Sequence, residues 1–167
     1  MQNESCRQPD SEITVVERYL QQALDLNERI KKHKDTLAIL ADQATCMSSP
    51  SDFSNPKVRS SPSEEATYVK IIERKDLLAE RIADEETLLK RLQDQIEELI
   101  DRYTTDPESG ILFSRYVCFN TWSAITKSSS NSLRNVYRIA ARGISLITLP
   151  DDAIWIEPDK PLRKYRS

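Results

Sequence analysis

The residues with most to offer chemically lie in one short stretch, residues 127–142. Arg134, Asn135, Arg138 and Arg142 recur there at helical spacing, with no acidic residue among them. A guanidinium can donate two parallel hydrogen bonds to guanine O6 and N7, and a carboxamide can pair with N6 and N7 of adenine. Asn131, Arg134, Asn135 and Arg138 are therefore candidates for reading base edges. Lys127, Ser128, Ser130 and Arg142 suit phosphate contacts, which set register and affinity but carry no sequence information. Other chemistries have little material. The chain has one His and two Gly. It has no phosphate-cradling Gly-rich loop, no His/Cys metal cluster and no nucleophile–base pair at recognisable spacing. Its many carboxylates fall on charged helices, where an i,i+4 pair is ordinary surface chemistry. We expect no enzyme, no cofactor and no metal.

Two short apolar-periodic segments flank the polar break at 127–132. The first offers Tyr116, Val117, Trp122 and Ile125 to a core; the second offers Leu133, Val136, Tyr137, Ile139, Ala140 and Ile144. Ser132 is a suitable N-cap, because its hydroxyl can accept from an otherwise orphan backbone N–H. Pro107 suits the first turn of a preceding helix over about 107–118, which adds Ile111 and Leu112. Residues 105–147 thus read as a three-helix unit. A helix, a tight polar turn and a basic helix at 132–147 form the arrangement of a helix-turn-helix DNA reader.

Upstream, residues 11–104 read as a long antiparallel helical hairpin. Val16, Tyr19, Ala23, Leu26, Ile30, His33, Leu37, Leu40, Ala44 and Met47 alternate in steps of three and four, as in a coiled-coil seam. Tyr68, Ile71, Lys75, Leu78, Ile82, Glu85, Leu89, Leu92, Ile96, Leu99 and Tyr103 form its partner, with Ser63 starting that helix. His33 reads as a partly exposed seam histidine, and Lys75 and Glu85 as interruptions that fix register. The connecting loop, 48–63, holds three prolines and excludes a helix. A second apolar set (Leu20, Leu24, Ile39, Ile72, Leu77, Leu88, Ile100) exceeds what two helices can bury against each other. It calls either for the small unit to fold back or, the preferred reading, for a dimer. Residues 1–10 are a polar, disordered lead. Residues 148–167 form an extended, proline-rich tail with Trp155 as a docking aromatic and Arg163, Lys164 and Arg166 as a basic end.

The stretch 115–138 resembles the sigma-factor region-four type of helix-turn-helix in phage and prophage regulators of the RinA and ArpU type, and a related uncharacterised family of phage proteins. Those sequences read Arg-Tyr, five residues, Trp, two residues, Ile, a turn, then Val-Tyr-Arg. Here the matching positions are Arg115 and Tyr116, Trp122, Ile125, and Val136, Tyr137 and Arg138, without a gap. The family's paired charged helices also fit residues 12–104. The chain departs at Thr126, where the family prefers Ala, and at Ser129 and Ser130, where it prefers Leu then Gly. A Ser in the left-handed turn position costs roughly 1 kcal/mol. The resemblance implies a transcription regulator that binds double-stranded DNA, with RNA polymerase as a further partner.

Composition agrees with an all-α protein: 167 residues, 31% charged, little Gly. The net charge is −3, yet residues 107–147 carry five basic residues against Glu108 alone, a local +4. A local basic patch on an acidic protein suits a DNA module held on a separate oligomerisation element. Cys6, Cys46 and Cys118 are odd in number and widely spaced, which points to reduced thiols. With no signal-peptide pattern and no apolar run long enough to cross a bilayer, the expectation is a protein of the bacterial host cytoplasm. The competing function is an anti-sigma or adaptor coiled coil that binds protein and not DNA.

Overall fold

The computed structural model describes residues 14–48 and 62–157. Among them are five α-helices and no strand: α1 (Val15–Ser48), α2 (Pro62–Tyr103), α3 (Glu108–Tyr116), α4 (Trp122–Ser129) and α5 (Leu133–Leu146). The all-helical class read from composition is thus observed. The polar lead at 1–10, the loop residues 49–61 with Phe53 and Val58, Cys6, and the basic end at 163–166 lie outside the described residues. No described helix is long and apolar enough to cross a membrane. The chain forms two compact units, and their division falls inside the two long helices. Among the described residues, one unit takes 14–24 with 93–155; the other takes 25–48, 62–92 and 156–157.

In the second unit, α1 buries Leu26, Ile30, Leu40 and Ala44, and α2 buries Leu78, Ile82, Leu89 and Leu92. The two helices run in opposite directions. Glu85 faces Arg29 and His33, whereas Ile71, earlier in α2, borders the same cleft as Ile39 and Met47, later in α1. The polar seam positions answer one another. Glu85 is buried, and its carboxylate lies 3.0 Å from Arg29 Nε and 2.9 Å from His33 Nδ1. Arg29 also donates to the Glu157 carbonyl at 3.2 Å. A carboxylate taken out of water costs several kcal/mol unless it is paired, so Glu85 holds Arg29 and His33 in one register. At the rim, Lys34 and Glu86 pair at 2.6 Å, both half-exposed; such a contact contributes at most about 1 kcal/mol.

In the first unit, the ends of the long helices and the three short helices share a core. Tyr19, Leu20, Ile96, Ile100, Leu112 and Val136 are all essentially inaccessible to solvent. Leu20, Leu24 and Ile100, from the surplus apolar set, are therefore covered within one chain, while Ile39 and Leu77 stay exposed. The segment after α5 crosses this unit in extended form. Gln22 Nε2 donates to the Ile154 carbonyl at 2.7 Å, and the Ile154 N–H donates to Gln95 Oε1 at 3.0 Å. Trp155 places its ring edge-on to Tyr19, centroids 5.5 Å apart, with half its surface still exposed. The docking aromatic thus packs on its own chain.

Tyr19 lies under that segment and donates its hydroxyl to Gln95 Oε1. Burial pushes its phenol up to about 12, opposed by the Ile154 backbone and reinforced by the charge of Asp152. A folded pKa raised above the unfolded value means stability that is intact below about pH 10 and lost as pH climbs from about 10 to 12, a loss of roughly 2–3 kcal/mol. Urea unfolding at a series of alkaline pH values should show this slope in the native protein and a shallower one in Tyr19→Phe. Equal slopes would mean that the phenol is not held in its neutral form.

Candidate nucleic-acid interface

The three short helices pack on one another in all three pairs, α3 against α5 most extensively. Local chemistry sets the ends of α4 and the start of α5. Thr121 caps α4, its hydroxyl accepting from the Ala124 N–H at 3.2 Å. Ser130 ends α4 in the left-handed region, at φ 53°. This is the turn position where a glycine costs least, and the serine there carries the strain of its Cβ. Ser132 then caps α5, accepting from the Asn135 N–H at 3.3 Å. Between the helices, Asn131 Nδ2 donates to the Ser129 carbonyl at 3.0 Å, closing the turn.

The buried stripe of α5 is Val136, Ile139, Ala140 and Gly143. Leu133 and Tyr137, assigned to the core on spacing, are instead close to half-exposed, and Leu146 is exposed as well. Arg134, Tyr137, Arg138 and Ala141 therefore share the open face of α5. Lys127, Ser128 and Ser130 are exposed on and beside α4. Arg134 has no partner among the described residues. Asn131 and Asn135 are half-buried and work differently. Asn135 Nδ2 donates to Asn131 Oδ1 at 2.7 Å, and Asn135 Oδ1 accepts from Arg138 Nη2 at 2.8 Å. The two amides thus form a chain that steadies the Arg138 guanidinium, in place of two amides held out toward bases.

Arg142 has a different setting. It is bound to Glu108 at the start of α3, through Nε and Nη2 to the same carboxylate oxygen. Glu108 is buried to 4% exposure. Its own backbone N–H and then the Arg142 guanidinium hold its carboxyl below the usual range. Arg142 keeps much of its side chain in solvent, but its charge is matched within the chain. The local +4 overstates what faces outward: Lys127, Arg134 and Arg138 are the exposed cations on α4 and α5 without an acidic partner among the described residues. A shallow cleft of ≈ 340 Å³ lies beside them, bordered by Pro107, Asn135, Arg138, Ile139 and Arg142.

Arg115, which could on charge alone meet a phosphate or pair with Glu108, does neither within the chain. It donates to the Asn120 carbonyl at 3.0 Å and lies over the Trp122 ring, 5.0 Å from its centroid. Trp122 in turn meets Tyr137, centroids 4.9 Å apart and rings tilted by 54°. A cation and two aromatic rings thus link α3, the start of α4 and the open face of α5. Sequence reading missed this ladder because it took both rings for core. The one available signal was that a buried Tyr needs a hydroxyl partner, which the apolar residues assigned to the same stripe, Leu133, Val136, Ala140 and Ile144, do not supply. Among the described residues no group of three His, Cys, Asp or Glu side chains could hold a metal ion. Comparison of the chain with family models, curated proteins and solved structures finds no match.

Proposed function

We propose that this chain is a sequence-specific DNA-binding transcription regulator of the phage and prophage type. In this reading α4, its left-handed turn and α5 act as a helix-turn-helix, with the recognition helix at 132–147 lying in the major groove. The antiparallel long helices serve as the coiled-coil element through which two copies associate on paired half-sites. One observation carries the reading: the open face of α5 presents Arg134, Tyr137 and Arg138 without an acid, behind a capped three-residue turn. The residue-by-residue resemblance over 115–138 supports it, as does the Asn131–Asn135–Arg138 chain, which would hold one guanidinium ready for a base edge.

Selection of duplexes from a randomised library by the purified chain tests this directly. Two or three phosphates neutralised per chain, four to six for two copies, should make affinity fall on the order of a hundred- to a thousandfold as salt rises from about 50 to about 200 mM. Failure to enrich any duplex at the lower salt would sink the reading. The second reading, an adaptor or anti-sigma module, draws on a separate feature. Ile39 and Met47 are exposed and border, with Ile71 and Cys46, an open cleft of ≈ 510 Å³ on the second unit. Capture of an RNA polymerase or sigma subunit without retention of any duplex would favour it.

A further inference from the structure

We infer that Tyr137 is a specificity-determining residue that reads the C5-methyl group of one thymine; this rests on the proposed DNA-binding function. The Tyr137 phenol ring is 47% exposed and stands on the helix face between two arginines, where a partner can reach it. The ring does not move freely there. Trp122 leans on it at 4.9 Å, and Trp122 is itself held under the Arg115 guanidinium, whose Nη1 is fixed on the Asn120 carbonyl. A side chain ordered in this way gives up little further entropy on binding.

Position on the helix then narrows the chemistry. Arg134, Tyr137, Arg138 and Ala141 lie at i, i+3, i+4 and i+7 and so share one face. The small Ala141 lets the helix backbone approach a groove wall closely. Two guanidiniums favour guanine edges, and the ring between them is the apolar member of the set. In the major groove one base offers an apolar group, the thymine methyl. Minor-groove stacking or intercalation needs an aromatic at a protruding tip, whereas this ring is braced against its own domain over part of its surface. Trp122 and Arg115 are then positioning residues, acting on the base only through Tyr137.

The test uses the intact chain and a duplex taken from the library selection, with each thymine replaced in turn by uracil, which lacks only the methyl group. In the native protein one replacement per half-site should weaken binding about fourfold, the value of one buried methyl. Tyr137→Phe should keep that sensitivity. In Tyr137→Ala the thymine and uracil duplexes should bind alike, with guanine preferences retained and helicity unchanged. Trp122→Leu should weaken the discrimination while Tyr137 is still present. If duplexes are selected but no uracil replacement matters, or if Tyr137→Ala keeps the same discrimination, the assignment to Tyr137 is overturned and the DNA-binding reading stands. If no duplex is selected, both are overturned.

Discussion

Replacing Arg134 and Arg138 together with Ala should cost specific DNA binding on the order of a hundredfold or more, and leave the fold intact. A well-placed bidentate arginine discriminates its base by about 1–3 kcal/mol, so two such residues give about 2–6 kcal/mol. The structural loss is small by comparison. Both side chains are exposed, and the one contact removed is the 2.8 Å surface bond from Arg138 to Asn135. Circular dichroism and melting temperature should therefore stay at native values while titration of the selected duplex shifts. The double Lys variant separates two effects. It keeps the charge, hence salt-dependent attraction to any duplex, but loses the planar fork that matches guanine. It should bind selected and scrambled duplexes almost equally. A double Ala variant that enriches the same sequences with native affinity would remove α5 from the interface. Arg142→Ala makes a useful contrast: it strips the buried Glu108 of its partner, so its first effect falls on stability rather than base choice.

Much of this architecture was readable before any coordinates, because burial along α1 and α2 repeats every three to four residues. Ala23, Leu26 and Ile30, and Leu78, Ile82, Leu89 and Leu92, are buried where the heptad spacing puts them. Local chemistry was readable too: Ser132 caps α5, and Ser130 occupies the left-handed turn position. Contacts between distant residues were not. His33 and Glu85 each read as polar interruptions, but 52 residues separate them, and only the antiparallel register brings them to 2.9 Å. Gln22 and Gln95 hold the segment after α5 through its backbone, and a glutamine on a charged helix gives no sign of such a role.

At the candidate interface the limit was angular. The apolar set at 133, 136, 137, 139, 140 and 144 and the buried set at 136, 139, 140 and 143 define overlapping stripes, turned from each other by a fraction of the helix circumference. Hydrophobicity favours the first stripe, since it contains Leu133 and Tyr137 and treats position 143 as blank. The structure uses the second. The deciding residue is a glycine, whose contribution is the side chain it lacks. Turning the helix toward Gly143 brings Tyr137 outward beside Arg134 and Arg138 and sets Arg142 against Glu108, which lies 34 residues earlier.

That glycine also yields a stability effect that one substitution can read. A Cβ at position 143 would stand 2.8 Å from Leu112 Cδ1 and 3.0 Å from Glu108 Cβ, both on α3. Leu112 is fully buried, so its Cδ1 can give way only by repacking against its core neighbours. Glu108 Cβ is part of a residue pinned at the start of its helix by Arg142. The backbone here is ordinary helix, so the constraint is close approach, and α5 can meet α3 this tightly only because the side chain is a hydrogen. Gly143→Val gains a few tenths of a kcal/mol in helix propensity, but it forces three carbons into a closed seam. Overpacking of that kind costs about 1–3 kcal/mol, occasionally more. The net destabilisation should be about 2 kcal/mol, a fall in Tm of roughly 4–8 °C for a chain of this size. Gly110→Ala is the matched control: a Cβ there meets nothing within 4 Å, so it should stabilise by about 0.5–1 kcal/mol. If both glycine variants melt at or above the native temperature, the α3–α5 seam is looser than 2.8 Å implies, and the orientation of α5 that exposes Tyr137 loses its mechanical basis. If Gly143→Val melts early and Gly110→Ala does not, the rotation of α5 that sets Arg134, Tyr137 and Arg138 outward is held by contact with α3.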